Sequence, residues 1–405
     1  MQSLCFRLLC TMIMLTSQRM RLSFVRGASF TISGKQRFTR SRMFGSDPTA
    51  SIIVENLNEA QRSAVTHPVD IIRVVAGPGA GKTRVLTSRI AWLLSRDANY
   101  DANWREFDRK YPPKILAVTF TKKAANEMEK RLEGLLYRIQ DLSDEADYLL
   151  PEEEFQQRPR GMDRVQLGTF HSICSRIMRR YGEHLSSLPF VNGSPLDGSF
   201  AIIDQSDQLR IVKKFMADMK VATDGKGSSP VKPRNILSHI SVLKANDARV
   251  GRLGATNGDG KENDEKGKMK AMTERLAREI YPKYCKHLLE NNSVDFDDLI
   301  LLTRDLLVSR EEVHLDLQRR WEHVLIDEFQ DTSQVQLDLI KLLARKSLFV
   351  VGDGDQSIYS WRGANVESMM DFDREFPNVK TKFLMENYRS TANIVKAAQK
   401  VISAS

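Results

Sequence analysis

The stretch Val74-Val75-Ala76-Gly77-Pro78-Gly79-Ala80-Gly81-Lys82-Thr83-Arg84 decides how this chain is read. Ahead of it, Ile71-Ile72-Arg73-Val74-Val75 is a short apolar, β-branched run, the pattern of a buried strand. Behind it, Val85, Leu86, Ile90, Leu93 and Leu94 recur at roughly helical spacing, so the loop joins a strand to a helix. That is the context of a phosphate-binding loop. Its glycines let successive N–H groups curl inward, and the helix N-terminus adds positive potential. Lys82 is placed to reach β- and γ-phosphates, and the Thr83 hydroxyl to ligate Mg²⁺. The strict pattern opens with Gly; Ala76 holds that place here, as the looser form allows. The alternative is a Gly-rich turn capping an ordinary helix, against which stands the order of strand, loop and helix. The loop specifies a nucleoside triphosphate and says nothing about its use.

The chain has 405 residues, enough for two or three domains, and its 41% hydrophobic and 28% charged residues describe a soluble globular protein. The net charge of +9 is not spread evenly. Residues 1–46 hold Arg7, Arg19, Arg21, Arg26, Lys35, Arg37, Arg40 and Arg42 and no acid, which leaves about +1 for everything from Asp47 onward. Global basicity is therefore evidence about the leader and not about nucleic acid. The leader reads as a mitochondrial or plastid transit peptide. The apolar run 8–15 as the core of a secretory-type signal, or a basic tail upstream of translation from Met43 in a nuclear protein, are the alternatives. No run reaches the roughly 18–20 apolar residues of a membrane-spanning helix. Cys5, Cys10, Cys174 and Cys285 form no Cys-x-x-Cys pair, so neither zinc, an iron–sulfur cluster nor a disulfide framework is expected.

From Leu57 a short amphipathic helix is predicted, with Asn58 as its N-cap. Ile115-Leu116-Ala117-Val118-Thr119 reads as a second strand after the polar linker that Tyr111-Pro112-Pro113 closes, and a helix follows from Thr121. Residues 141–164 look like a solvated excursion, 165–169 a third strand and 171–181 a helix. Residues 205–220, 233–244 and 272–290 carry helical patterns with no strand between them. The Gly-, Asn-, Asp- and Lys-rich stretch 246–270 is expected to be disordered. Strands return at 324–326, 348–351 and 382–384, with a helix over 333–343. Strands alternating with helices predict an α/β fold around a mostly parallel, doubly covered sheet, interrupted by a helical insertion.

A phosphate loop needs a carboxylate for Mg²⁺ and, for hydrolysis, a base to orient water. Leu325-Ile326-Asp327-Glu328 offers both at a strand end. Asp327 is the candidate metal ligand and Glu328 the candidate base. Adjacent residues of a strand point to opposite sides, so two roles are natural. Phe349–Val351 ends likewise in Gly352-Asp353-Gly354-Asp355-Gln356, which fits one crevice at the carboxyl edge of a parallel sheet. There Gln356 can sense a γ-phosphate.

Several segments in order resemble a known family: Gln61 within 57–65, the 76–83 loop, Val118-Thr119-Phe120-Thr121, and Gly168-Thr169-Phe170-His171-Ser172. Asp295-Phe296-Asp297-Asp298-Leu299, residues 325–333, the run 351–364 and Asn387-Tyr388-Arg389-Ser390 continue the match. The chain is similar over roughly 55–395 to the UvrD/Rep/PcrA group of superfamily 1 DNA helicases, which translocate 3′→5′ on single-stranded DNA. The resemblance implies a RecA-like P-loop NTPase domain that uses ATP and Mg²⁺. It implies that Gln61 reads the adenine edge, Tyr388 stacks on the base, and Gln356 and Arg389 contact the γ-phosphate. Thr119, Phe120, Thr169, Phe170, His171, Tyr359, Trp361 and Arg362 are its implied DNA contacts, on single strands and at single-strand/duplex junctions. Aromatic faces, hydroxyls and cations are what single-strand binding requires. Taken alone, Phe120 and Trp361 read as core before platform; their place in loops after strand ends, beside Thr and Arg, makes them platform candidates, and a helix cap is the other reading of His171.

The implied organisation is a leader over 1–50, domain 1A over 51–204 and 291–385, a 1B-like insertion over 205–290, and the start of domain 2A over 386–405. The family runs several hundred residues further and supplies an Arg across the ATP cleft, worth roughly 10³–10⁵ in rate in related sites. The expectation is a helicase motor acting in DNA repair or recombination whose 405-residue chain binds Mg-ATP and DNA but hydrolyses and unwinds poorly. A regulatory DNA-binding module, or the motor part of a helicase–nuclease, are the other readings.

Overall fold

The computed structural model describes residues 48–68, 70–100, 114–144, 159, 161–191, 193–220, 231–247, 265–357 and 371–404. The expected leader lies outside the described residues except for 48–50. Those three open helix α1 (Pro48–Val54), which buries Ala50, Ile53 and Val54.

Strands β1 (Ile71–Ala76), β2 (Lys114–Thr119) and β3 (Val165–Thr169) belong to a six-stranded sheet with β6 (Trp321–Ile326), β7 (Ser347–Gly352) and β8 (Lys380–Leu384). The order is β3-β2-β6-β7-β1-β8, and every pairing among the described strands is parallel. The sheet is covered on both faces, which is why its central strands are continuously apolar instead of alternating. Leu116, Val118, Val324, Ile326, Leu348 and Val350 enter one core, while Ile115, Ala117, Leu325, Phe349 and Val351 enter the other. The second core is roofed by α1, α2 (Glu59–Val65), α3 (Lys82–Tyr100) and α4 (Lys122–Asp144). This is the RecA-like α/β architecture.

The first core is closed by α5 (Phe170–Arg180) and by helices further along the chain. Before those come α6 (Gln205–Asp218), α7 (Pro233–Ala245) and α8 (Glu265–Glu290), which pack on one another around Val212, Ile236, Ile240, Ile280 and Tyr284. A short parallel ladder of β4 (Ala201–Ile202) and β5 (Ser293–Val294) pinches the two ends of this helical block together. α8 starts at Glu265, so residues 265–270 of the stretch expected to be disordered are helical. The Thr273 hydroxyl bonds the Met269 carbonyl one turn back, and the pattern of good helix formers outweighs the lack of apolar residues there. Residues 248–264 lie outside the described residues.

Sequence reading assigns no helix between 296 and 320, yet α9 (Phe296–Ser309) and α10 (Glu311–Arg320) fill that interval. α9 is buried at every position from Asp298 to Leu307, so its apolar residues show no helical period to read. α11 (Gln334–Leu343), α12 (Phe372–Glu375) and α13 (Ala392–Ala404) complete the chain; Ile394, Val401 and Ile402 on α13 are exposed.

Where the helical block meets α9, a charge cluster is buried. Lys244 at the end of α7 lies 2.7 Å from Asp295 Oδ2 and 2.7 Å from Asp298 Oδ1, with no side-chain exposure. Tyr284 donates to Asp295 at 2.9 Å. Asp295 also N-caps α9 in a reciprocal box with Asp298. Burial alone lowers an amine's pKa, but the two carboxylates outweigh it and hold Lys244 well above its ordinary value. Burial, reinforced by Asp295, pushes Asp298 up to about 7. Asp295 resists burial through the Lys244 amine and ends below the usual carboxylate value.

Because Asp298 binds its proton more tightly folded than unfolded, its contribution to stability falls as pH rises from about 4 to about 7. Lys244→Met keeps the stem and strands both carboxylates, so urea unfolding is expected to show a loss of about 3–5 kcal/mol. That loss is expected to be greater at pH 8 than at pH 5, where protonation relieves the aspartates. A loss below about 1 kcal/mol at both pH values contradicts the arrangement.

Candidate functional site

The phosphate loop leaves the carboxyl end of β1, between β7 and β8, and turns directly into α3. Ala80 N donates to Gly77 O at 3.2 Å and Val85 N to Gly81 O at 3.0 Å, closing the turn onto the helix. Gly79 and Gly81 have φ of +69° and +83°, where a β-carbon is strained. Space forbids one as well. At Gly79 it would lie 2.7 Å from Arg389 Cβ, and at Gly81 2.8 Å from Gln61 Nε2. Gln61 is only 1% exposed. Its Nε2 donates to Ala80 O at 2.9 Å and its Oε1 accepts from Asn58 N at 3.2 Å, within a capping box on α2. Both ends of the amide expected to read a base are thus engaged with the protein, and Gln61 braces the loop from behind.

Facing the loop, β6 delivers Asp327 and Glu328. Asp327 N donates to Val118 O at 2.9 Å, extending the β2–β6 ladder past the strand end. Burial, with Glu328 adding to it, pushes the Asp327 carboxyl up to about 7. Glu328 sits at φ +49°, ψ +46°, a left-handed backbone that a side chain seldom adopts and that here aims its carboxylate across the crevice. Its Oε2 lies 3.2 Å from Lys82 Nζ. The Lys82 side chain is 11% exposed, and its ammonium is buried without a hydrogen bond, an ion pair out of hydrogen-bond alignment. A buried ammonium with unused donors at the N-terminus of a helix suits a triphosphate. A desolvated carboxylate and the Thr83 hydroxyl are the hard oxygen donors that suit Mg²⁺. No cluster of three or more His, Cys, Asp or Glu able to hold a metal occurs among the described residues, and a phosphate-linked Mg²⁺ needs none.

Gln356 is held by Asp353, its Nε2 donating to Asp353 Oδ2 at 2.6 Å. The 387–389 segment lies on the loop itself: Asn387 Nδ2 donates to Pro78 O at 2.6 Å and Tyr388 N to Gly79 O at 2.9 Å. The Tyr388 ring is 57% exposed beside the loop, its hydroxyl donating to Glu386 at 2.6 Å and accepting from Asn58 at 2.7 Å. Arg389 is exposed, with its backbone N–H donating to Asn387 Oδ1. Arg84 turns away to Asn56 O at 3.3 Å and lines a separate hollow of about 520 Å³ with Leu57, Thr87 and Arg138.

The implied DNA residues divide. Phe120 and His171 line a groove of about 410 Å³ between the large sheet and the helical block, shared with Gln208 and Ser241. Phe296 joins them, 50% exposed, its ring 5.7 Å from that of His171 in an edge-to-face pair. Asp297 and Asp331 share the wall, so the groove offers stacking faces more than phosphate pairing. Thr119, Thr169 and Phe170 are placed differently, behind the groove wall. Thr119 is 1% exposed and spends its hydroxyl on Thr121 O, shaping the turn that presents Phe120. Thr169 N-caps α5, its hydroxyl accepting from Ser172 N, and Phe170 fills the core beneath. Tyr359, Trp361 and Arg362 lie outside the described residues. Asn387, Phe296 and Gln330 were not singled out as site residues. All three stand inside quoted motifs, and for Phe296 a phenylalanine beside two aspartates just after the helical block was the available signal.

A protein-family model described as the UvrD/REP helicase N-terminal domain matches residues 57–377. The chain is 37% identical over 353 residues to ATP-dependent DNA helicase PcrA of Leuconostoc citreum, covering 87% of this chain and 39% of that protein. It is 34% identical over 354 residues to ATP-dependent DNA helicase PcrA of Bacillus subtilis (strain 168), covering 86% and 40%. The chain thus spans well under half the length of these curated relatives.

Gly81→Ala is expected to keep the fold and weaken binding of a fluorescent ATP analogue at least ten-fold, about 1.4 kcal/mol. Unchanged affinity would show that the loop does not need this backbone.

Proposed function

The chain belongs to the UvrD/REP helicase family, and from that premise we propose that it acts as an ATP-dependent 3′→5′ DNA helicase, a single-strand translocase driven by ATP hydrolysis. DNA repair or recombination is the process inferred, with single strands and single-strand/duplex junctions as substrates. The observation that carries the reading is Lys82. Its ammonium is buried at the mouth of the phosphate loop, faces Glu328 and makes no hydrogen bond. An amine left this way is costly unless a ligand with several acceptor oxygens completes it.

In the mechanism that follows, the loop amides and Lys82 hold the β- and γ-phosphates. Thr83 and Asp327 would hold Mg²⁺, which supplies charge neutralisation on the phosphate oxygens. Glu328, engaged through Oε2, keeps its other oxygen to orient water and accept its proton as the water oxygen bonds to the γ-phosphorus and the β–γ bridge breaks, giving ADP and phosphate. Gln356 and Arg389 sense the γ-phosphate, and the Tyr388 ring stacks on the base. Phe120, His171 and Phe296 support the DNA reading because a strand's bases can stack on them irrespective of sequence. The acid-free, Arg-rich leader supports import into a mitochondrion or plastid.

ATP turnover by the purified chain, with and without oligo(dT), tests the reading. Slow turnover, stimulated by DNA and abolished in Lys82→Ala, is expected, and equal turnover in Lys82→Ala contradicts it. Phe120→Ala is expected to weaken single-strand binding by about 1–3 kcal/mol. A fluorescent fusion of residues 1–50 that stays in the nucleus or cytosol contradicts organelle import.

A further inference from the structure

Gln330 is 1% exposed and sits two residues past Glu328, in the short turn Phe329–Asp331 after β6. Its Nε2 donates to Glu328 Oε2 at 2.9 Å, and its Oε1 accepts from Asp353 N at 2.9 Å. Asp353, 7% exposed at the end of β7, in turn accepts from Gln356 Nε2 at 2.6 Å and from Asp355 N at 3.2 Å. The Gln330 carbonyl also accepts from the Ser357 hydroxyl at 3.4 Å. One amide therefore stands between the carboxylate across from Lys82 and the turn that carries Gln356.

The orientation of that amide has a single solution. The Asp353 N–H can only donate, so the Gln330 oxygen must face it, and the amino group is left facing Glu328. Rotating the amide by half a turn would set N–H against N–H and carbonyl against carboxylate. The bond to Glu328 is charge-assisted and shielded from water on the Gln330 side, which makes it a strong positional restraint. Glu328 needs one, because its backbone sits in the left-handed region and its side chain is 36% exposed.

We propose that Gln330 is a positioning residue for hydrolysis, fixing Glu328 on the Lys82 side of the crevice and tying it to the turn that presents Gln356. It touches neither nucleotide nor water and acts through both neighbours. The proposal rests on the functional reading above. It goes beyond that reading by placing the coupling between the two strand-end turns in one buried amide.

The test uses the purified chain with Gln330→Ala and the isosteric Gln330→Glu, and Lys82→Ala as control. Gln330→Glu keeps the volume and the acceptor for Asp353 N–H, and replaces the donor that faces Glu328 by a second carboxyl oxygen. The expected result is a fall in kcat of roughly 10²-fold in both variants, with KM for ATP and Kd for oligo(dT) within about two-fold of wild type. Melting temperature of Gln330→Glu is expected to fall, because a second carboxyl is buried against Glu328, while the unchanged KM and Kd show that both binding sites persist. A buried glutamine that only packs would give the opposite split: melting lowered in Gln330→Ala, kcat kept in Gln330→Glu. That result overturns the proposal while leaving the functional reading intact. Absence of Lys82-dependent turnover in the wild-type chain overturns the functional reading and this proposal with it.

Discussion

The ion pair between Lys82 and Glu328 exists because the sheet is parallel. Lys82 follows β1 and Glu328 follows β6, with β7 between them, and parallel strands deliver all three ends to one edge. An antiparallel neighbour would have carried one partner to the opposite side. The pair is close, at 3.2 Å, and poorly aligned, which leaves the ammonium charge balanced and its hydrogen bonds unused. Such a site is preorganised: charge is already in place, and a ligand oxygen needs only to supply acceptors.

Around this pair the chain spends backbone strain and buried amides on position. Glu328 holds a left-handed conformation, and Gly79 and Gly81 hold positive φ on the other side of the crevice. Gln61 braces the loop from α2, while Gln330 braces Glu328 from the β6 turn. The 387–389 segment uses the main-chain carbonyls of Pro78 and Gly79 as its seat, which only a glycine at 79 leaves room for. The loop is thus a junction between three parts of the chain. Lys244 plays the corresponding role for the helical block, gathering Asp295 and Asp298 where α7 meets α9.

Much of the sheet was legible because a doubly covered parallel strand announces itself as an unbroken apolar run bounded by turn residues. β3 was read to the residue, and Asn58 was read correctly as a cap. α9 was missed for the same physical reason that β7 was found: burial on all sides erases periodicity, and ten buried positions in a row look like no helix face. In the site, the charged groups were legible because few structural roles suit Lys, Asp and Glu at the ends of buried strands. Hydroxyls and aromatics are more ambiguous. Thr169 and Phe170 serve a capping box and a core with the same groups that DNA binding uses, and no local pattern separates the two uses. The role of Gln330 depends on Asp353, a partner on another strand, which no local pattern records.

Calorimetric titration of Mg-ATP into wild type and Glu328→Gln tests the central claim, that Glu328 holds Lys82 ready and serves hydrolysis without serving affinity. Removing its charge frees the Lys82 ammonium for phosphate. The expected result is equal or tighter binding in Glu328→Gln, accompanied by loss of turnover. Weaker binding in Glu328→Gln, or undiminished turnover, would contradict it.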